Sequence, residues 1–322
     1  MKIVYKIITV VVGISFLYAI FTLVQRSGEI SILPYVKQIN PFKLAISFAL
    51  YIVSHFLRSV RIALMIGRQD YSFLTLVNKQ FYTNGINLIL PFKLGEFYRI
   101  VELNKLFRDS ERTFLTVLAE RTLDFLFLFV GLFVALYITN YSLLNLRLTL
   151  FVGGTFIASV LLIYYVLPEN LRSFNLFLAK RYTKKSVTRV LAFSHMIYSL
   201  IISIKEILRR KSSTIILLTA LVWFCEIGGL FFITDFLDIP HALLLAFFVF
   251  LSSLIPSGSL GLGSLQFAFY LLVATMPAFP YLPMSMIYQA YIFFPAILIS
   301  FVLYMKKKIG EWKTVKVKTG NI

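Results

Sequence analysis

Four places in this sequence set groups capable of chemistry inside otherwise apolar runs. Arg58 and Arg61, three apart and so on one helix face, lie within Leu44–Ile66. A second stretch runs from Asn87 through Pro91, Gly95 and Glu96 to Arg99, mixing helix-breaking residues with an acid and a base. The third is Glu120-Arg121-Thr-Leu-Asp124, in which Glu120 and Asp124 share a face. The fourth is a Pro/Gly break from Pro256 through Gly258 and Gly261 to Gly263, followed by Gln266. A charge at the centre of a bilayer costs about 2.5–3.5 kcal/mol on insertion scales, so each such group needs a partner or a purpose. The chemistry these residues suit is recognition of a charged group. A helix that begins at a break within a membrane points unpaired amide N–H groups and a partial positive charge at its surroundings, and such an end attracts phosphate.

Plainer roles exist for the same residues. Arg58 and Arg61 lie near one end of their run and could snorkel to the interface. Glu120, Arg121 and Asp124 could pair among themselves and lock helices together. Glu96 and Arg99 could simply pair along one helix. Catalytic, metal and cofactor assignments are not expected. Cys225 is the single cysteine and sits in an apolar run, and His55, His195 and His241 are scattered. Asp235, Asp238 and His241 share a short loop that reads as a polar interface turn, with a cation site as the alternative.

The elements that must position these groups follow from composition. Hydrophobic residues make up 59% of the 322 and charged residues 14%, whereas soluble domains carry about 45–50% and about 25%. Lipid must be the solvent. Runs long enough for a hydrocarbon core of about 30 Å are Ile3–Val24, Leu44–Ile66, Thr113–Ile138, Leu148–Leu167, Thr214–Thr234 and Met284–Met305. The first reads as an uncleaved signal anchor, since Gln25-Arg26 rather than a small-residue cleavage site follows it. Phe73–Ile100 and 241–275 are too interrupted to span comfortably and read as re-entrant pairs of half-helices, although 241–275 could equally form two full spans. The expected fold is all-α, a polytopic membrane bundle of about six spans plus two re-entrant pairs, compatible with an inverted repeat.

The formal charge of +18 would suggest nucleic acid in a soluble protein; no such partner is expected here. Ten Lys/Arg lie between Pro168 and Ser212, and six lysines follow Met305. The positive-inside rule puts both regions, and both termini, in the cytoplasm of a multi-pass cell-membrane protein. Residues 1–305 form one transmembrane domain and 306–322 a basic tail. Within the loop 168–212, Val187, Val190, Leu191, Ile197, Ile201, Ile204 and Leu208 recur at helical spacing, predicting an amphipathic helix that lies on the inner leaflet or packs on the bundle.

The string Asn87…Pro91…Gly95-Glu96…Arg99, then Glu120-Arg121…Asp124, then Pro256…Gly261-Leu262-Gly263, resembles the lysylphosphatidylglycerol synthase transmembrane region family, the flippase-like membrane half of the bacterial multiple peptide resistance factor. Arg58 and Arg61 look like that family's paired-arginine segment. The resemblance covers about residues 5–305. The family commonly has Glu soon after the second Gly motif, where this chain has Gln266, which weakens any proton-linked role there. The chain stops just after its last span, so the soluble aminoacyltransferase domain of fused relatives, and lipid aminoacylation with it, is not expected.

The two breaks are expected to form one lipid-headgroup site, with Arg58, Arg61, Arg99 or Arg121 as phosphate partners, and the resemblance implies movement or binding of an anionic phospholipid, modified or not, or of a polyprenyl-phosphate lipid. With no nucleotide-binding motif, the driving force must be an ion gradient, the membrane potential or a partner. Two alternatives stand beside translocation: a membrane-embedded transferase using a lipid-linked donor, and a lipid-binding scaffold for a lipid-modifying partner enzyme. A homodimer is compatible with all three.

Overall fold

The computed structural model describes residues 33–67, 70–90, 94–139, 154, 158, 162–181, 185–234, 237–252, 263–274, 276 and 279–319. Among these the chain is helical throughout, with no strand. The helices are α1 (Leu33–Gln38), α2 (Pro41–Ile66), α3 (Phe73–Ile89), α4 (Leu94–Phe107), α5 (Ser110–Ile138), α6 (Leu167–Arg181), α7 (Lys185–Arg210), α8 (Ser212–Ile233), α9 (Ile239–Ser252), α10 (Ser264–Tyr270) and α11 (Tyr281–Thr319). Four of them are long and apolar enough to cross a membrane: α2, α5, α8 and the Tyr281–Lys306 part of α11. These match four of the six expected spans. Ile3–Val24 lies outside the described residues, as does most of Leu148–Leu167, whose end is a π-helical turn at Leu162–Val166 running into α6.

Local chemistry sets the helix ends. Asn40 caps α2, its Oδ1 accepting from the Phe42 N–H at 2.9 Å, with Pro41 at the first helical position. Gly67, at φ +64°, terminates the same helix in the left-handed conformation that glycine adopts without strain. Asp109 caps α5 by accepting from the Arg112 N–H at 3.0 Å.

In the first interrupted segment Pro91 lies outside the described residues, and a helix stands on either side of it. α3 runs unbroken through Asn84, Gly85 and Asn87, stops at Ile89, and α4 begins at Leu94. At about 1.5 Å per residue, α3 reaches about 25 Å and α4 about 21 Å, each short of a core of about 30 Å. In the second interrupted segment α9 ends at Ser252 and α10 starts at Ser264. The intervening Pro256, Gly258 and Gly261 lie outside the described residues.

The chain divides into two units. The first comprises Met1–Ile52, Asn78–Glu102 and Glu226–Ile322; the second comprises Val53–Val77 and Leu103–Cys225. In the first unit small residues bring helices close, as membrane helices require. The Ser300 hydroxyl on α11 donates to the carbonyls of Phe81 and Tyr82 at 3.1 and 3.2 Å. A methyl group at Gly85 would stand 2.6 Å from the Ala296 carbonyl. The Ser47 hydroxyl donates to the Gly229 carbonyl at 2.6 Å, and the Tyr291 hydroxyl to the Ser47 carbonyl at 2.8 Å. In the second unit Met65, Leu115, Ala119, Ile204 and Ile215 pack as one buried cluster, with Leu123 against it. The amphipathic helix of the basic loop is therefore α7, and its Ile201 and Ile204 are buried. Of the two placements its pattern allowed, packing on the bundle is the one observed.

Candidate functional site

The chemistry-bearing residues gather into one cluster in each unit. In the second unit, the face of α2 that carries Arg58 and Arg61 meets the face of α5 that carries Glu120 and Asp124. Arg61 has no exposed surface. Its Nη1 donates to Asp124 Oδ1 at 2.8 Å and to the Thr219 hydroxyl at 2.9 Å. Its Nη2 donates to Glu120 Oε1 at 2.7 Å and to Asp124 Oδ2 at 3.2 Å. The guanidinium thus forks onto Asp124, the strongest geometry available to such a pair.

Asp124 is the hub of this cluster. Besides Arg61 it accepts from Arg58 Nη1 at 3.2 Å and from the Trp223 indole N–H at 3.2 Å, and Arg121 Nη1 lies 3.5 Å away. The Arg58 guanidinium sits 5.3 Å from the centre of the Trp223 ring, a cation–π placement. Phe127 stacks nearly parallel to Trp223, the ring centres 6.4 Å apart. Neither arginine snorkels. Both side chains turn inward because buried carboxylates neutralise them, which is how ionised groups persist within a membrane bundle. Arg121 is about a third exposed and is the outermost cation of the set.

In the first unit the site is a helical hairpin. α3 and α4 fold back on each other across the break, and their polar residues face one another in matched pairs. Asn87 Nδ2 donates to Glu96 Oε1 at 3.1 Å; the Tyr98 and Tyr82 hydroxyls are 3.3 Å apart; Lys79 Nζ donates to Glu102 Oε2 at 2.8 Å. Each pair is roughly symmetric in sequence about the segment that separates the two helices, as residues facing each other across an antiparallel helix pair must be. Gly95 permits the fold-back. A Cβ there would overlap the Asn87 backbone and stand 2.7 Å from the Asn87 Cβ. Arg99 is buried and its Nη1 lies 3.5 Å from Glu96 Oε2, the pairing expected along one helix. Gln80, Thr83 and Glu102 are also buried on this seam. The amide oxygens of Gln80 and Asn87 are buried without a hydrogen-bond donor among the described residues, a state that buried polar atoms seldom keep.

Elsewhere in the first unit Gln266 accepts from the Gly263 N–H at 2.8 Å and donates to Gln289 at 2.9 Å, so it closes the start of α10. Asp238 and His241 interact with each other, Oδ1 to Nδ1 at 2.5 Å, and Asp238 also accepts from the His241 N–H at the start of α9. Asp235, the remaining member of that loop trio, lies outside the described residues. No group of three potential metal ligands occurs among the described residues.

Sequence reasoning missed Glu102, Gln80, Gln289 and Glu226. Glu226 lies within α8, half-buried. It carried a signal, being a single acid in an apolar run. Glu102 carried one too, at the mirror position of Lys79 about the break.

Helices of this length and hydropathy, joined by hydrogen bonds and ion pairs buried away from lipid, define a multi-pass helical membrane protein. The model of the family described as lysylphosphatidylglycerol synthase TM region matches residues 6–300, nearly the whole chain, and the protein belongs to that family. Membership ties it to lipid handling. No curated protein and no solved structure is similar enough to be matched to it.

Proposed function

We propose that this protein is a flippase-like lipid translocase of the cell membrane, with both termini cytoplasmic, and that it handles a phosphate-bearing phospholipid or polyprenyl lipid. The observation that carries this reading is the buried polar seam of the α3–α4 hairpin. It holds two cations, Lys79 and Arg99, two carboxylates, Glu96 and Glu102, and two amide oxygens without donors, on Gln80 and Asn87. An apolar bundle gains nothing in stability from such a seam, since replacing buried ion pairs by packed apolar residues is often neutral or stabilising. A headgroup supplies what the seam is suited to receive: phosphate oxygens for Arg99 and Lys79, and hydroxyl or amine donors for the two amides. Family membership supports the same class of ligand.

The cluster around Asp124 takes a different part in this proposal. Arg58 and Arg61, which share the carboxylate of Asp124 across α2 and α5, serve as a lock between those helices, and Arg121, about a third exposed, is the member best placed to meet a phosphate. Gly263 and Gln266, at the start of α10, belong to the proposed site, as do Pro91, Pro256, Gly258 and Gly261, which lie outside the described residues. A lipid-modifying partner enzyme and a homodimeric assembly remain compatible with the reading.

Native mass spectrometry of the purified protein tests it. A phosphate-bearing lipid retained by the wild type and lost from Arg99→Ala is expected. A wild type that carries no lipid, or a variant that carries it equally, counts against the proposal.

A further inference from the structure

A cavity of about 420 Å³ lies in the second unit, and none of its lining residues belongs to either cluster described above. Five charged residues line it: Asp109, Glu111, Arg112, Glu206 and Lys211. Three helix ends bound it. Gly67 closes α2, Asp109 opens α5, and Lys211 precedes α8. All three are membrane-length helices, so the cavity stands where their apolar runs stop, at the level of lipid headgroups. α7 covers it with Ser203 and Glu206. The inner wall is apolar, formed by Leu64, Met65 and Leu115, of which the last two belong to the buried cluster beneath.

The charges are mixed in sign, three acids against two bases, and this restricts the ligand. An anion alone that reached Arg112 and Lys211 would face Asp109, Glu111 and Glu206. A cation alone that reached the acids would face Arg112 and Lys211. Like-charge contact of either kind works against binding. One carboxylate oxygen of Asp109 is occupied in capping α5. The Arg112 guanidinium rests against the end of α2, its Nη2 3.2 Å from where a Gly67 Cβ would be. The Asp109 carboxylate is held in place by its cap.

We infer that this cavity binds a zwitterion that joins a phosphate to an ammonium group by a short linker, as in a phosphoethanolamine headgroup. Arg112 and Lys211 take the phosphate, and Glu206 with Glu111 takes the ammonium. The volume falls in the range of small-molecule sites, about 300–1,000 Å³. The same chemistry reaches the cavity either as a lipid headgroup or as a free phosphoamine. The inference does not depend on translocation through the hairpin seam, and its test does not read transport.

The experiment titrates the full-length purified protein with sn-glycero-3-phosphoethanolamine, and separately with glycerol 3-phosphate and with ethanolamine, by isothermal calorimetry. Saturable binding of the zwitterion is expected, about tenfold or more tighter than either half, a difference of roughly 1.4 kcal/mol. Arg112→Gln and Glu206→Gln should each weaken it by a similar factor while melting temperature holds. Should Arg112→Gln fail to fold, Lys211→Gln carries the same expectation. Competition in nanodiscs then separates the sources. Displacement by phosphatidylethanolamine discs but not phosphatidylglycerol discs identifies a lipid headgroup, and no displacement by either identifies a free phosphoamine. Equal affinity for glycerol 3-phosphate or for ethanolamine alone, absence of binding, or binding indifferent to the substitutions overturns the inference.

Discussion

The carboxylate of Asp124 receives both terminal nitrogens of the Arg61 guanidinium, at 2.8 and 3.2 Å, in a place where Arg61 has no exposed surface. The residues are 63 apart in sequence, on α2 and α5. Asp124 also serves Arg58 and Trp223. Asp124→Asn removes the charge that holds two buried guanidinium groups, leaving Glu120 as their buried acid. Breaking a buried pair from one side costs about 3–5 kcal/mol. A marked loss of thermal stability in detergent is expected, together with a change in Trp223 fluorescence as its ring loses both its acceptor and its cation. Wild-type melting would show that the cluster does not lock these helices.

Gly95 lies so close to Asn87 that a Cβ at position 95 has no room. Gly95→Ala should force the hairpin open and cost about 1–3 kcal/mol, as overpacking does. Gly85→Ala should act similarly, against the Ala296 carbonyl. Melting curves of the two variants beside the wild type decide the matter. Equal curves would mean that the hairpin tolerates a wider spacing than it shows.

Lys79 and Glu102 pair across the hairpin at 2.8 Å, with the carboxylate buried and the amine partly so. Single reversals, Lys79→Glu or Glu102→Lys, place like charges together and should destabilise the protein. The double reversal should recover much of the loss. A coupling energy of about 0.5–3 kcal/mol is expected from the double-mutant cycle, and additivity would show that the two side chains act independently.

Much of the architecture could be read from the chain, because spanning helices declare themselves by length and hydropathy alone. α2, α5 and α8 begin within about four residues of the apolar runs that foretold them, the small offsets arising where caps such as Asn40 and Asp109 extend the helix into polar sequence. The break near Pro91 was legible because proline both lacks a donor and restricts the residue before it. Arg58 with Arg61, and Glu120 with Asp124, were legible as two charged faces by their spacing. That the faces meet was not, since nothing local to either helix encodes its partner. Gly95 read as a helix breaker, and its role in close packing against Asn87 appears only when the hairpin is folded. Asn84 and Gly85 misled for the converse reason. Their helix propensity is poor, but contact with Ala296 and Ser300 holds that turn of α3 in place, and tertiary packing overrides propensity.

The account rests on the hairpin seam as a lipid-headgroup path, and leaflet exchange tests it most directly. Proteoliposomes carrying the wild type and labelled phosphatidylglycerol derivatives should exchange label between leaflets faster than empty liposomes. Glu96→Ala and Arg99→Ala, inserted to the same level, should bring the rate down about tenfold or more, as loss of an interaction near 1.4 kcal/mol or greater in the rate-limiting step would do. Wild-type rates equal to those of empty liposomes across a panel of phosphate-bearing lipids, or variants that exchange as fast as the wild type, would contradict it.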